Sequence, residues 1–436
     1  MKIKKLIALL LSVTVMGISI PAFSSVAEIS AIAGDDETYG DFQITKYDDH
    51  VEISKYTGDA SNVTIPSEID ELPVTSIGDE AFISCYSIES IIIPDSVTSI
   101  CTEAFSNCRY LTSITIPDSV TNIDSFAFVS CTKLESIIIP DSVTNIGSCA
   151  FWFCTSLSSI TIPKSVTNIG DRAFMDTPWL ENKQKENPLV IVNNILIDGT
   201  ACSGDVIIPD SVTIIGDYSF HYSQNLISIT IPSSVTYIGE GAFSRCESLT
   251  SITLPNSITS IENCTFMFCK NLKSIIIPDS VTLIDYSAFC PCKNLESITI
   301  LNPDCKINDS ASTICNDDDF DNGSSYSGVI KGYIGSTAET YAKKYGYTFE
   351  VNFILGDVTI DGIINGSDAT FALQAYTLVN SGLDDGLDDI QFKAADVTGD
   401  GIITGSDATI ILNYYTYLSS LITGENPLSM EEWMKK

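Results

Sequence analysis

The sequence predicts a mainly β solenoid of stacked units, followed by a small α-helical domain built on paired acidic loops. Two observations carry this reading. A 23-residue self-similarity runs through residues 63–301, and a second duplication, offset by 39 residues, occupies the C-terminal part of the chain. A fixed period in the twenties marks stacked supersecondary units, each exposing an apolar flank that only its neighbours can cover. With 436 residues and 44% of them hydrophobic, the chain can fill an ordered core through most of its length.

The chain opens with features of an export signal. Lys2, Lys4 and Lys5 precede the uncharged apolar run Leu6 to Ile20, and small residues follow, with Ala22-Phe23-Ser24 or Ser25-Val26-Ala27 as alternative cleavage sites. Residues 1–24 are therefore expected to be a signal peptide and the mature protein to be secreted and extracellular. An uncleaved anchor is the rival reading, although the run is shorter than the roughly 20 residues a spanning helix needs. No second apolar run of spanning length occurs and the chain ends on polar residues, so any surface attachment is expected to come through a binding domain. The 56 acidic against 22 basic residues give a formal charge of −34, which argues against nucleic-acid and anionic-membrane partners. A solvated acidic surface and calcium ligands both account for it.

The solenoid is expected over residues 38–301. The segment Leu111-Thr-Ser-Ile-Thr-Ile-Pro117-Asp-Ser-Val-Thr-Asn-Ile recurs so that its proline falls at Pro94, Pro117, Pro140 and Pro163, then at Pro209, Pro232, Pro255 and Pro278. In the unit beginning at Leu134, Ile137 and Ile139 are two apart and face one side of a strand, which Pro140 ends because it cannot donate to a ladder. Val143 and Ile146 then turn inward, and Ala150, Phe151 and Cys154 supply a second inward set. Cys85, Cys108, Cys131, Cys154, Cys246, Cys269 and Cys292 stand at multiples of the period, so they read as a stacked ladder of buried thiols rather than as bridges. Of the less regular cysteines, Cys305 and Cys315 are a candidate disulfide pair.

The recurring Ile-Pro-Asp-Ser-Val-Thr-x-Ile-Gly string and the following Ala-Phe-x-x-Cys resemble the BspA-type leucine-rich repeats of bacterial surface proteins. The resemblance implies a curved β-solenoid of parallel strands, with a role in adhesion or protein binding. Residues 176–208 break the pattern. Leu189 to Ile197 reads as two strands around an Asn193-Asn194 turn, a hairpin-like insertion standing off the solenoid. Residues 302–325 are rich in Asn, Asp, Ser and Gly and read as a loop or partly disordered segment. The span 302–352 closes with a C-terminal cap: strands at Val329 to Ile334 and Thr348 to Val351, and between them a helix started by the capping box Ser336 to Glu339. The two residues after each repeat Phe vary most. Trp152, Phe153, His221, Tyr222, Met267 and Phe268 form a candidate patch for a protein or a sugar ring if exposed, and otherwise pack the loops between repeats.

The strongest functional signal is the duplication. Asp357-Val-Thr-Ile-Asp361-Gly362-Ile363-Ile-Asn365-Gly-Ser-Asp368 returns as Asp396-Val-Thr-Gly-Asp400-Gly401-Ile402-Ile-Thr404-Gly-Ser-Asp407. Oxygen ligands at loop positions 1, 5 and 12 with Gly at 6 give the spacing of an EF-hand calcium loop. The candidate metal residues are Asp357, Thr359, Asp361, Ile363 (backbone carbonyl), Asn365 and Asp368 in the first copy. In the second they are Asp396, Thr398, Asp400, Ile402 (carbonyl), Thr404 and Asp407. Two calcium ions are thus expected. Residues 353–436 hold thirteen acidic residues against three lysines, so the loop carboxylates would repel one another without a cation and folding should be metal-dependent. Position 12 is Asp rather than Glu, and no helix is evident before either loop. Both departures, with the helices beginning near Ala369 and Ala408, resemble a type I dockerin at residues 353–423, leaving 424–436 as a tail. That resemblance implies a cohesin partner on a scaffoldin of a cellulosome. It also implies cohesin contacts at Gly366, Ser367 and Gln374, and at Gly405, Ser406 and Asn413. Thr at position 3 stands where the family usually has Asn or Asp.

A catalytic reading fits poorly. A glycosidase needs two carboxylates across a cleft, whereas Asp95, Asp118, Asp141, Asp210 and Asp279 occupy one repeated position. The two histidines, His50 and His221, lie in no nucleophile motif. The sequence therefore reads as a non-catalytic binding protein, with an unrecognised polysaccharide-degrading enzyme as the alternative.

Overall fold

The computed structural model describes residues 35–317, 324–352, 354–421 and 427–435; the expected signal peptide lies outside them. The repeats form a parallel-strand β-solenoid of about 13 turns. One wall is built from short strands such as Ser90–Ile92, Ser113–Thr115, Ser136–Ile138 and Ser159–Thr161, stacked one period apart so that Ile91 faces Ile114 and Ile137 faces Ile160. A second wall stacks the two-residue strands Ser99–Ile100, Asn122–Ile123, Asn145–Ile146 and Asn168–Ile169. Identical register puts identical side chains on top of one another. Asn145 Nδ2 donates to Asn122 Oδ1, and Asn168 repeats the bond to Asn145.

The third side carries the Ala-Phe turns. Phe105, Phe128 and Phe151 donate their backbone N–H to the carbonyls of Ala127, Ala150 and Ala173 one turn on. Their rings stack at 5.2 Å (Phe105–Phe128) and 5.3 Å (Phe128–Phe151), within the range of favourable aromatic pairs. Beneath them the repeated thiols donate back across the core, Cys131 Sγ to the Phe105 carbonyl at 3.2 Å and Cys154 Sγ to Phe128 at 3.0 Å. Burial pushes the Cys108, Cys246 and Cys292 thiols up to about 12, so these remain protonated packing groups. Two non-glycine residues in a typical turn take left-handed backbone conformations, for example Glu103 (φ 56°) and Asn107 (φ 61°). Their N–H groups bond the next turn, to Ser125 and Val129, which offsets the strain.

At the N-terminal end, strands Asp35–Tyr39, Phe42–Lys46 and Val51–Tyr56 run antiparallel, and the third joins the solenoid by pairing parallel to Leu72–Ile77. At the other end strand Val329–Gly332, helix α2 (Thr337–Tyr345) and strand Thr348–Val351 form the cap. Ser336 accepts from the N–H of Glu339, and the Glu339 carboxylate reaches the N–H of Gly335.

Three sequence readings need correction. First, the insertion does not stand off the solenoid. A helix the sequence reading missed, α1 (Pro178–Glu186), starts on Thr177, whose hydroxyl accepts from Leu180 N–H, and buries Trp179 against Phe174. The strands Val190–Val192 and Ile195–Asp198 do form an antiparallel hairpin, but Ile195 and Leu196 pair parallel with Ile214 and Ile215 and so belong to the wall. Second, residues 302–325 continue the array over part of their length: Lys306–Ile307 pairs with Leu283–Ile284, Phe289 bridges Ile314, and Cys305, Ile314 and Cys315 are buried. Third, Cys315 pairs with Cys290, not Cys305. Cys290 and Cys315 follow the bridged residues Phe289 and Ile314 on adjacent turns, with Cα atoms 4.7 Å apart. Cys305 precedes the Lys306–Ile307 strand of the second wall and is a buried free thiol.

Candidate functional site

The duplicated segment folds as two loop–helix units whose cores correspond residue for residue. Helices α3 (Gly366–Asn380) and α5 (Gly405–Ser420) pack together, and Val358, Ile364, Ala369, Ala372 and Ala375 are buried with their counterparts Val397, Ile403, Ala408, Ile411 and Tyr414. Each helix begins with a reciprocal capping box, Asn365 with Asp368 and Thr404 with Asp407, so the position-12 carboxylates are fixed by the helix start itself.

The backbone donors to the loop carboxylates correspond in both copies. Asp357 accepts from the N–H groups of Asp361 (3.2 Å) and Gly362 (2.8 Å), and Asp396 from those of Asp400 (3.1 Å) and Gly401 (2.8 Å). Asp368 accepts from Thr359 N–H at 2.9 Å and Asn365 N–H at 2.8 Å; Asp407 accepts from Thr398 at 3.0 Å and Thr404 at 2.8 Å. Gly362 (φ 89°) and Gly401 (φ 82°) take the left-handed turn at position 6, which glycine adopts without a Cβ clash.

The donor chemistry fits a hard cation. Asp357, Asp368 and Asp407 are wholly buried carboxylates, and among the described residues none forms an ion pair with a basic side chain. Burial, with the charges of Asp368 and Asp361 nearby, pushes the Asp357 carboxyl up to about 6 despite the hydrogen bond from Gly362. Thr359 Oγ1 donates to Asp368 Oδ1 at 2.9 Å, and Thr398 Oγ1 to Asp396 Oδ1 at 3.3 Å, so both hydroxyls lie among the carboxylates. Asp361 and Asp400 instead turn one oxygen back onto the N–H two residues on. No three acidic, His or Cys side chains converge as a preassembled metal cluster among the described residues, and Asp361 and Asp400 each keep a second carboxylate oxygen outside these bonds. The Ile363 carbonyl accepts from Asn365 Nδ2 at 3.2 Å, and Asn365 and Thr404 serve as helix caps. The Ile363 and Ile402 side chains are exposed.

The residues implied as cohesin contacts lie near the helix starts. Ser367, Gln374, Ser406 and Asn413 are exposed, and Gly366 and Gly405 half-buried. Beside them Phe371, Leu373, Leu412 and Tyr415 present large apolar side chains to solvent, and a shallow hollow is lined by Gly366, Ser367, Thr370, Phe371 and Tyr415.

Two further elements went unread in the sequence. Helix α4 (Asp389–Ala395) leads into the second loop, its start capped by Asp388 and Gln391; the sequence carried that capping box. Residues 424–436 are not a free tail where described. Helix α6 (Met430–Trp433) buries Met430 in the core shared by the two loop–helix units and sets Trp433 5.5 Å from Tyr414.

The candidate solenoid patch divides. Trp152 is half-buried and donates Nε1–H to Asp176, and Phe153 is exposed. Beyond the array break, Tyr222 is exposed and meets the half-buried His221 at 4.6 Å, while Arg245 lies over both Tyr222 (5.0 Å) and the half-buried Phe268 (4.2 Å). Met267 is half-buried.

Fold and loops together define a repeat solenoid joined to a small paired-loop docking module. The chain belongs to the BspA type leucine rich repeat family, which matches residues 75–196 and 199–317, and it carries a dockerin type I domain at residues 355–415. Dockerin type I domains bind calcium, and a dockerin implies a cohesin partner. Among solved structures, the chain is similar to a leucine rich cell surface protein of Faecalibacterium prausnitzii (28% identity, 62% of this chain and 90% of that one, TM-score 0.34). It is also similar to a leucine rich repeat protein of T. pallidum (26% identity, 55% and 91%, TM-score 0.30). No curated protein matches the chain. The two domains support a cellulosome-type protein-interaction component. Among the described residues no helix is long and apolar enough to cross a membrane.

Proposed function

We propose that this protein is a secreted, non-catalytic component of a cellulosome-like complex, anchored by its dockerin to a scaffoldin cohesin and presenting its solenoid to a protein, carbohydrate or cell-surface ligand. The observation that carries the docking part is the pair of matching loops, each with a wholly buried position-12 carboxylate and no basic partner for it among the described residues. Asp357, Thr359, Asp361, Asn365 and Asp368 with the Ile363 carbonyl would hold one calcium ion. Asp396, Thr398, Asp400, Thr404 and Asp407 with the Ile402 carbonyl would hold the other. Calcium, when bound, neutralises carboxylates that otherwise repel within a buried loop. The capping boxes tie each loop to the start of a docking helix, so an ordered loop presents Gly366, Ser367 and Gln374, or Gly405, Ser406 and Asn413, in fixed positions for the cohesin.

The test is binding of the full chain to a panel of type I cohesins with calcium and with chelator. Chelator-sensitive capture supports the reading; capture by no cohesin, or capture indifferent to chelator, overturns it. The two copies carry the same Gly-Ser pair, which raises a dual mode in which either helix faces the cohesin. Reciprocal Ser367→Asp/Gln374→Ala and Ser406→Asp/Asn413→Ala variants decide this: loss of binding from one pair alone rules the dual mode out.

A further inference from the structure

The array break between Phe174 and Phe220 does more than interrupt a stack. It opens a cavity of about 200 Å³ between α1, the hairpin strand Ile195–Asp198 and the next turn of the solenoid. Four features set it apart from a packing defect. Its floor is apolar, with Phe174, Leu180 and Ile197. Its acceptors are carboxylates bonded to neutral groups. Asp198 takes Gln184 Nε2 at 2.9 Å and Thr200 N–H at 3.1 Å, and Asp217 takes the N–H of Glu240 at 2.9 Å. Its guanidinium, Arg172, lies 5.2 Å over the Tyr218 ring and has no ion pair among the described residues, in a protein of net charge −34. Finally, the His221 ring forms part of the wall, and its Nδ1, turned away from the open space, is buried without a hydrogen-bond partner, although buried polar atoms are nearly always paired. The aromatic residues anticipated as a patch flank this cavity: Trp152 reaches it through Asp176, and His221 is part of its wall.

Ligand chemistry follows from that arrangement. A hydrocarbon would leave the Arg172 guanidinium unsatisfied. A compact cation would meet the unpaired Arg172, and an anion would meet Asp198, Asp217 and Glu181. Burial and the charges of Arg172 and Arg245 hold His221 down at about 4, so it is neutral near pH 7 and adds no charge for an anion. What remains is a neutral molecule whose groups both donate and accept, with one apolar face for the floor and a size near that of a single sugar ring. We propose that the array break is a carbohydrate site accepting one neutral pentose or hexose unit, with Asp198 and Asp217 accepting from its hydroxyls, Arg172 bonding its oxygens and the His221 ring closing the wall against it. This gives chemical content to the proposed ligand-binding role of the solenoid and rests on it, but not on cohesin docking.

The experiment is ligand-observed saturation-transfer NMR and calorimetry on the full chain. The probes are xylose, glucose, galactose, mannose, arabinose and their short oligomers, with galacturonate and putrescine as charged arms. At least one neutral sugar is expected to bind, and Arg172→Ala and His221→Ala are expected to weaken it tenfold or more while Tyr110→Ala, on a distant turn, leaves it unchanged. Circular dichroism melts confirm that each variant is folded, and Gln184→Ala, which removes the donor that α1 gives to Asp198, supplies a milder second probe with a several-fold loss. No neutral sugar bound, binding indifferent to both Arg172→Ala and His221→Ala, or preference for galacturonate or putrescine each overturns the proposal. Cohesin capture measured on the same samples separates failure of this site from failure of the docking reading.

Discussion

The chain contains two repeats of different kinds, and they are stabilised differently. In the solenoid the repeated residues satisfy one another: Phe stacks on Phe, Asn bonds Asn, and a thiol donates to the carbonyl of the Phe one turn back. In the dockerin the repeated residues are carboxylates with backbone donors but no opposite charge in their loops. The first repeat is complete within the polypeptide, whereas the second gathers like charges that the proposed calcium ions would neutralise. The two loops also differ from each other. Asp357 is buried where Asp396 is half-buried, and Ile360 holds φ 56° where the second loop has Gly399 at φ 70°. The first loop lies against the solenoid cap, since a methyl group on Gly362 would come within 3.0 Å of the Tyr333 ring.

The largest effect expected from this contrast is the response to chelator. Removing calcium from the full chain should abolish a separate dockerin melting transition and leave the solenoid transition in place, a loss of about 4 kcal/mol for each ion held at a thousandfold over its Kd. Two transitions moving together on chelation would show that the solenoid is not self-sufficient. Phe128→Ala, in mid-ladder, inverts the test: it should cost about 3–5 kcal/mol of solenoid stability and leave calcium titration of the dockerin unchanged. Cys290→Ser with Cys315→Ser should lower the solenoid transition by about 3 kcal/mol, and a reductant should do the same to the parent but nothing to the double variant.

The smallest effect concerns Asp217, which burial pushes up to about 6. A carboxyl raised in the folded state contributes stability below its ordinary range, and that contribution is lost as pH rises through about 6. Asp217→Asn should therefore stabilise the solenoid by about 1 kcal/mol at pH 7.5 and gain nothing at pH 4, as read from melts at both values. Equal gains at the two pH values would mean that the side chain acts by packing rather than by charge.

How much of this was legible follows the same division. Strict periodicity exposes the inward Ile, Val, Phe and Cys positions, because a residue needed once per turn recurs once per turn. The loops were legible because calcium-loop spacing is fixed by ligand geometry. Features that occur once were not. Helix α1 begins with Thr177-Pro178, a readable start, but its few buried residues, Trp179 and Leu180, leave no apolar periodicity to mark it. Cys290 is irregular in sequence yet stacks on Cys315 because the degenerate last turn keeps register without keeping the motif. Helices α4 and α6 are short and announced only by their capping boxes. The cavity lies where the period fails, between α1 and the next turn, so no repeat could announce it.

The most direct test of the account is calcium titration of the full chain by calorimetry, followed by cohesin binding in the same buffer with and without chelator. The account predicts two calcium ions bound per chain and cohesin binding that is lost on chelation. Calcium-independent cohesin binding, or no calcium uptake at all, would contradict it.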